Sequence, residues 1–398
     1  MHDCLVSAGS LDEVRFLVHL HRRSFANARA TFGLQLDAKL DTVVDARSTA
    51  LSVGLFAGPR AMRRLRQASR SFGPAIGDVL GYLSPGHVYV CGGFEGALAL
   101  SSVERLDPVS GMWEALPPMT EARQYTCAGV MSGRIYVCGG WGGPHPVRTV
   151  ERFDPAAGRW EQMPPMLVAR WGAAAGVADG KLHICGGLDD NRQPLSSVER
   201  LNVGGVLDAH QVDVTFLIDG AQVPAEVPDD LEGSMWEAVP DMSERRGWPA
   251  AGVLGGVLYV CGGRDEQREP LSSAERLSPG ATVWESLPPM HGQRAGAAAA
   301  AAGGRLYVCG GAFGAQMLNS AEFYDPQVFQ WTQLPSMITR RAYVAVATVA
   351  GSLLVFGGSD GVQCLDTAEK FDPSEGSWNP QAAMSERRSG AAAAAVAE

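Results

Sequence analysis

A chain of 398 residues has room for two or three ordinary domains or for one large repeat architecture, and 46% hydrophobic residues can form a real core. A formal charge of −10 excludes a general nucleic-acid binder, which needs a basic surface to offset phosphate charge. No apolar run is long enough to cross a bilayer, the N-terminus carries acids where a secretory signal would be basic and then apolar, and the eight dispersed cysteines include no C-x-x-C pair; the expectation is a cytoplasmic protein with no membrane partner and no disulfide framework.

Residues 1–75 differ in kind from the rest. Leu11–Arg29 carries Leu11, Val14, Phe16, Leu17, Val18 and Leu20 in an amphipathic pattern, and Pro59–Arg70 is basic and reads as helical. This segment is expected to be a leader, helical or partly disordered, ahead of a second domain spanning residues 76–398.

From residue 86 onward the sequence repeats. A short apolar run ending in Gly-Gly occurs six times, with first glycines Gly92, Gly139, Gly186, Gly262, Gly310 and Gly357, at intervals of 47, 47, 76, 48 and 47 residues. Other positions keep step. Each unit carries one glutamate (Glu104, Glu151, Glu199, Glu275, Glu322 and Glu369). A tryptophan follows nine residues later in five units and at Trp236 in the third. After an LPPM-like segment comes an arginine: Arg123, Arg170, Arg246, Arg294, Arg341 and Arg388. Each unit reads as four short strands. Strand a is rich in Ala, Gly and Val and ends in a Gly-containing turn such as Ser132-Gly133. Strand b is the run before Gly-Gly. Strand c alternates apolar and polar residues and ends at Asp-Pro, because proline cannot donate to the ladder. Strand d carries the tryptophan. Small residues suit strand a if it is innermost, where blades converge, so Gly296–Ala302 is assigned to a strand against its helical propensity. The chain ends in a further strand a, SGAAAAAVAE, with no strand b after it, whereas the first unit has a strand b at His87–Cys91 and only IGDVLGYL ahead of it. The simplest closure pairs the C-terminal strand with the first unit, which also removes an exposed edge. The third interval holds an insertion at about 203–232 between strands c and d. It carries Asp208, Asp213, Asp219, Glu226, Asp229, Asp230 and Glu232 and no lysine or arginine. It reads as a solvated surface loop, with a small hairpin at 214–220 as the alternative.

A unit of about 47 residues with Gly-Gly after strand b resembles the Kelch repeat. The WD40 repeat is the nearest competitor, but its Gly-His and Trp-Asp pairs do not recur here. The resemblance implies an all-β, six-bladed propeller closed by a C-terminal strand, and a module that binds a protein or peptide, often an acidic one. Residues 1–75 are too short for the BTB and BACK pair of many Kelch proteins. In length, in an LDEV start and in an arginine-rich LRQASRSF end they resemble an F-box, which would recruit a cullin-complex subunit and make the protein a ubiquitin-ligase substrate receptor; the leader remains the preferred reading.

No catalytic, metal or cofactor set emerges. The eight histidines show no clustered spacing. Cys91, Cys138, Cys185, Cys261 and Cys309 share one strand b position that is Phe356 in the sixth unit, which marks it as an apolar packing site. Galactose oxidase shares the Kelch fold and uses copper, but its kind of ligand set is missing here. An enzyme built on a Kelch propeller is the alternative to a binding module. Strand parity places the b–c and d–a loops on one face. The d–a loops carry the six arginines, with Tyr125, Trp171, Trp248 and Tyr343 just after four of them. The b–c loops begin at Phe94, Trp141, Leu188, Arg264, Ala312 and Ser359. The candidate binding set is therefore Phe94, Trp141, Arg123, Tyr125, Arg170, Trp171, Arg246, Trp248, Arg294, Arg341, Tyr343 and Arg388. For the arginines a second reading stays open, in which each pairs with a structural carboxylate or carbonyl inside the ring.

Overall fold

The structure is a computed structural model that describes residues 86–202 and 235–396. Each repeat folds as one four-stranded antiparallel sheet, and six such blades are present. Blade 2 shows the pattern: strand a Cys127–Met131, b Arg134–Cys138, c Val150–Asp154 and d Arg159–Met163. The six a strands contact one another in a closed ring around the axis. At the middle position of the strand, which is Gly129, Gly176, Gly252, Ala300, Ala347 and Ala394, there is room only for small residues. A Cβ on Gly129 would stand 2.5 Å from a methyl of Leu182 in the next blade, and one on Gly252 would stand 2.5 Å from Leu306. Strand b is buried along nearly its whole length in every blade, because sheet neighbours cover its edges and adjacent blades cover both faces; this is why it reads as a continuous apolar run. Among the described residues there is no helix.

Neighbouring blades are joined by the tryptophans. In five blades the indole N–H donates to a proline carbonyl just past strand d of the preceding blade, as from Trp160 to Pro117 at 2.9 Å and from Trp378 to Pro335 at 2.9 Å. In blade 1 the acceptor is Ala382, 3.1 Å from Trp113. This last bond spans the closure. Strand a of blade 1 is Ala392–Val396, paired antiparallel with His87–Cys91 in the register His87 to Val396 and Cys91 to Ala392. The expected closure by the C-terminal strand is the one observed.

The leader at 1–75 and the acidic insertion at 203–232 lie outside the described residues. The insertion's flanks are described. Asn202 donates its N–H to the Met235 carbonyl at 2.8 Å, and Trp236 opens strand d of blade 3 opposite Leu201, so the repeat resumes in register after the insertion.

Removing residues 386–398 deletes the inner strand of blade 1 together with Arg388. The truncated protein should melt lower by roughly 10 °C or more, since several kcal/mol of packing and pairing are lost. An unchanged thermal midpoint in a calorimetric scan would contradict this account of closure.

Candidate functional site

The six arginines are not on the surface. Arg123, Arg170, Arg246, Arg294, Arg341 and Arg388 are all buried, none more than 2% exposed. They are therefore corrected from surface contacts to scaffold. Each enters its blade on the d–a loop and pairs with that blade's strand c glutamate: Arg123–Glu151 at 3.1 Å, Arg170–Glu199 at 2.9 Å, Arg246–Glu275 at 3.0 Å, Arg294–Glu322 at 2.8 Å, Arg341–Glu369 at 2.7 Å and Arg388–Glu104 at 3.5 Å. A second nitrogen donates to the carbonyl of the first glycine of the doublet and to the residue two before the glutamate, as from Arg170 to Gly186 and Ser197. The glutamate in turn accepts the backbone N–H that follows the LPPM methionine, for example from Ser243 to Glu275 at 2.9 Å. Each charge is thus paired inside the ring, which is the condition for burying it, although the Nε atoms of Arg170, Arg294, Arg341 and Arg388 make no hydrogen bond among the described residues.

The doublet glycines complete this unit. The carbonyl of the next blade's arginine receives the N–H of the second glycine, as from Gly93 to Arg123 at 2.8 Å. A Cβ on the first glycine, Gly92, would stand 2.7 Å from that same oxygen, and Gly92 has φ +63°. Backbone conformation and close approach both demand glycine here.

The arginine anchor fixes the residue two positions later. In blades 1 to 6 this residue is Gly390, Tyr125, Gly172, Trp248, Gly296 and Tyr343, all left-handed with φ between 52° and 64°. Each donates its N–H to the carbonyl of its counterpart in the preceding blade, at 2.7–3.0 Å, so six hydrogen bonds close a ring around the axis. Aromatic residues and glycines alternate around it. A Cβ on Gly172 would stand 2.2 Å from Trp248, one on Gly296 2.7 Å from Tyr343, and one on Gly390 2.8 Å from Tyr125. Each glycine makes room for the next blade's ring. The three aromatic rings meet, with centroids 5.3 Å apart for Tyr125–Tyr343, 5.3 Å for Trp248–Tyr343 and 6.0 Å for Tyr125–Trp248. A cavity of about 70 Å³ lies at the axis, lined by these six residues and those that follow them.

The other predicted aromatics extend this cluster outward. Trp171 contacts Tyr125 and Trp248 at 5.4 and 5.3 Å, Trp141 contacts Trp171 at 5.2 Å, and Phe94 contacts Tyr125 at 5.1 Å. All six aromatics of the candidate set are therefore one contiguous patch on the face of the d–a and b–c loops. Trp171 is the most deeply set of the six, while Phe94, Tyr125, Trp141, Trp248 and Tyr343 remain partly exposed. Burial pushes the Tyr125 and Tyr343 phenols above the usual tyrosine pKa, so both stay neutral at ordinary pH.

Cations of this face include the exposed Arg245, Arg340 and Arg387 on d–a loops, of which Arg245 pairs with Glu266 and Arg387 lies 3.9 Å from Asp366, and three more on the b–c loops of blades 3 and 4. The Arg264 guanidinium stacks 3.9 Å from the Trp248 ring centroid. Arg192 and Arg268 occupy equivalent left-handed positions in blades 3 and 4, with φ 61° and 70°. Burial lowers the Arg264 pKa; Tyr343 opposes this, and repulsion from Arg268 and Arg192 adds to it. Neighbouring acids are largely engaged elsewhere: Asp189 and Asp265 cap their own turns, Asp190 bonds His145, and Glu266 pairs with Arg245. Arg264 begins a b–c loop and was visible in that position, but only the structure brings it over Trp248.

The shared strand b cysteines are buried, and burial pushes the Cys91, Cys261 and Cys309 thiols up to about 12. They are packing groups, inert as nucleophiles. Among the described residues no group of three or more His, Cys, Asp or Glu is placed to hold a metal, and no helix is long and apolar enough to cross a membrane.

Comparison with known proteins agrees with this geometry. Residues 229–397 match the KLHDC2/KLHL20/DRC7 Kelch-repeats domain, and residues 84–120 and 122–167 match the Kelch motif. This chain is a Kelch-repeat β-propeller. The solved structure of YjhT has the same fold, with a TM-score of 0.58 at 14% identity over 73% of this chain and 96% of that one. No curated protein matches the sequence significantly.

Two arginines of this Kelch propeller should behave oppositely. Arg246→Ala leaves Glu275 buried and unpaired and should cost about 3–5 kcal/mol of stability, measured by denaturant unfolding. Arg264→Ala removes a half-exposed side chain with no carboxylate partner among the described residues and should leave the unfolding midpoint nearly unchanged. Equal, small effects at both positions would mean that the anchor is misassigned. In the same assay Gly172→Ala should destabilise by about 1–3 kcal/mol, from the left-handed backbone and the collision with Trp248.

Proposed function

We propose that this Kelch propeller is a protein-binding module that holds an acidic peptide segment on the face of the d–a and b–c loops. The observation that carries the reading is a contiguous aromatic floor over the axis, bordered by three guanidiniums with no carboxylate partner among the described residues. Rigid aromatic area and arginine forks are the residue types that dominate binding energy at interfaces. Kelch-repeat propellers are generally interaction modules, in line with a non-catalytic role. Free thiols at Cys91, Cys127, Cys138, Cys185, Cys261, Cys309 and Cys364 suit a reducing cytoplasm. Acting as a ubiquitin-ligase substrate receptor is the extension of this reading. It rests on the F-box-like length and ends of residues 1–75, and it requires cullin-complex subunits to co-purify with the full chain and not with a chain lacking those residues.

The binding face is testable without knowing the partner. Random linear peptides displayed on phage and selected on the immobilised full-length protein should be enriched in Asp and Glu. Trp141→Ala should weaken the selected peptides by about 1–3 kcal/mol without lowering the melting temperature. Added salt should weaken them further, since exposed charges contribute. Peptides that bind Trp141→Ala and Arg264→Ser as tightly as the parent protein would put the site elsewhere and overturn the proposal.

A further inference from the structure

The six b–c loop tips are not alike. Blades 3 and 4 present Asp189-Asp190-Asn191-Arg192 and Asp265-Glu266-Gln267-Arg268, polar throughout. Blade 2 presents Gly142-Gly143-Pro144-His145. Blades 5, 6 and 1, which are consecutive around the ring, present large apolar side chains to solvent: Phe313, Val362 and Leu98 at 49%, 94% and 73% exposure. The tips of blades 5 and 1 are small hairpins, Ala312–Phe313 with Gln316–Met317 and Phe94–Glu95 with Leu98–Ala99, which hold these side chains on rigid supports. Met317 of blade 5 lies beside Gly361 of blade 6, so two of the three loops are in contact. The acids of this sector are few: Asp360 caps its own turn through the N–H groups of Val362 and Gln363, and Glu95 is exposed.

In a six-membered ring, blades 3 and 4 stand opposite blades 6 and 1. The cationic sector and the apolar sector therefore face each other across the axis, and the aromatic ring of Tyr125, Trp248 and Tyr343 lies between them. We infer that the partner is a two-part linear segment, an acidic cluster followed or preceded by apolar residues, laid across the axis with its carboxylates at Arg192, Arg264 and Arg268 and its apolar side chains among Leu98, Phe313 and Val362. This inference rests on the proposed peptide-binding face and adds the partner's composition and placement. Charge complementarity fixes which end of the segment meets which sector. Leu167 and Val168 on the d–a loop of blade 3 are also exposed, at 44% and 37%, but among the b–c loop tips the large exposed apolar side chains fall in blades 5, 6 and 1, a grouping that association would cover.

The probe is a peptide from the phage selection, synthesised in three forms: as selected, with its acids replaced by Asn, and with its apolar residues replaced by Ser. Affinities are measured by calorimetry on the full-length protein. Phe313→Ser with Val362→Ser should weaken the selected form about tenfold or more, as expected for losing buried apolar contacts, and should leave the Ser-substituted form unchanged. Arg192→Ser with Arg268→Ser should show the converse pattern, weakening the selected form and leaving the Asn-substituted form unchanged. Should the double apolar variant fold poorly, Val362→Ser alone carries the same test, since that side chain is almost wholly exposed. If the arginine variants weaken binding but the apolar variants do not, the two-part partner is wrong while the binding face stands. If neither pair changes affinity, the binding face itself is wrong.

Discussion

The ion pair between each d–a arginine and its strand c glutamate is the constraint on which the rest of the molecule depends. A guanidinium offers five donors in a fixed plane and no acceptor. Here that fork is divided among a carboxylate, the carbonyl of the first glycine and the carbonyl two residues before the glutamate. The glycine doublet and the strand c segment are thereby both held to one rigid group on the d–a loop. A buried pair of this kind adds little net stability over well-packed apolar residues, because desolvation offsets most of the attraction. What it does supply is position. The arginine backbone is placed so closely that its carbonyl excludes any side chain on the glycine it faces, and its successor residues have one path to the axis.

That path ends in the six-membered ring of backbone hydrogen bonds. Every N–H and C=O near the axis needs a partner, and a propeller centre has no further strand to provide one. The left-handed conformation at the second residue after each arginine turns its N–H toward the preceding blade and its C=O toward the following one, so the ring satisfies both groups at once. Each of the three aromatics occupies the space that a neighbouring blade's glycine leaves open, as the virtual Cβ distances show. The axial opening becomes a floor of aromatic surface.

Much of this was legible before the structure. Blade number, strand order, the Gly-Gly bend and the closure by the last strand follow from six segments in register, because a repeat can bury its core only against copies of itself. The arginines show the limit. Spacing put them correctly on the d–a loops, but a loop position does not reveal that the side chain turns inward beneath its own backbone. Six copies of the glutamate, the tryptophan and the arginine in register are themselves an argument for scaffold roles, since a single functional site does not need six. The alternation Tyr, Gly, Trp, Gly, Tyr, Gly at the second residue after them was also present in the sequence. Its meaning depends on contacts between blades, where the glycine of one blade accommodates the aromatic of the next. Arg264 over Trp248 joins a b–c loop to a d–a loop of a single blade, and no periodicity marks it. The leader and the acidic insertion carry no repeat, so register says nothing about them.

The division between what repeats and what varies is therefore also a division of labour. Positions occupied in the same way in all six blades are consumed in holding the ring together: the glutamate, the arginine and the doublet each have partners within the fold. Specific recognition of one partner needs an asymmetric surface, and asymmetry can enter only where the repeat leaves side chains free. On this face those places are the first b–c residue, the loop tip and the aromatic positions around the axis. Arg264 has no counterpart among Phe94, Trp141, Leu188, Ala312 and Ser359, and the polar tips of blades 3 and 4 have none among the apolar tips of blades 5, 6 and 1. Apart from the acidic insertion, which joins strands c and d, these departures from the repeat lie on one face, over a floor that the repeat itself keeps rigid. That convergence argues for recognition there more strongly than any single residue does.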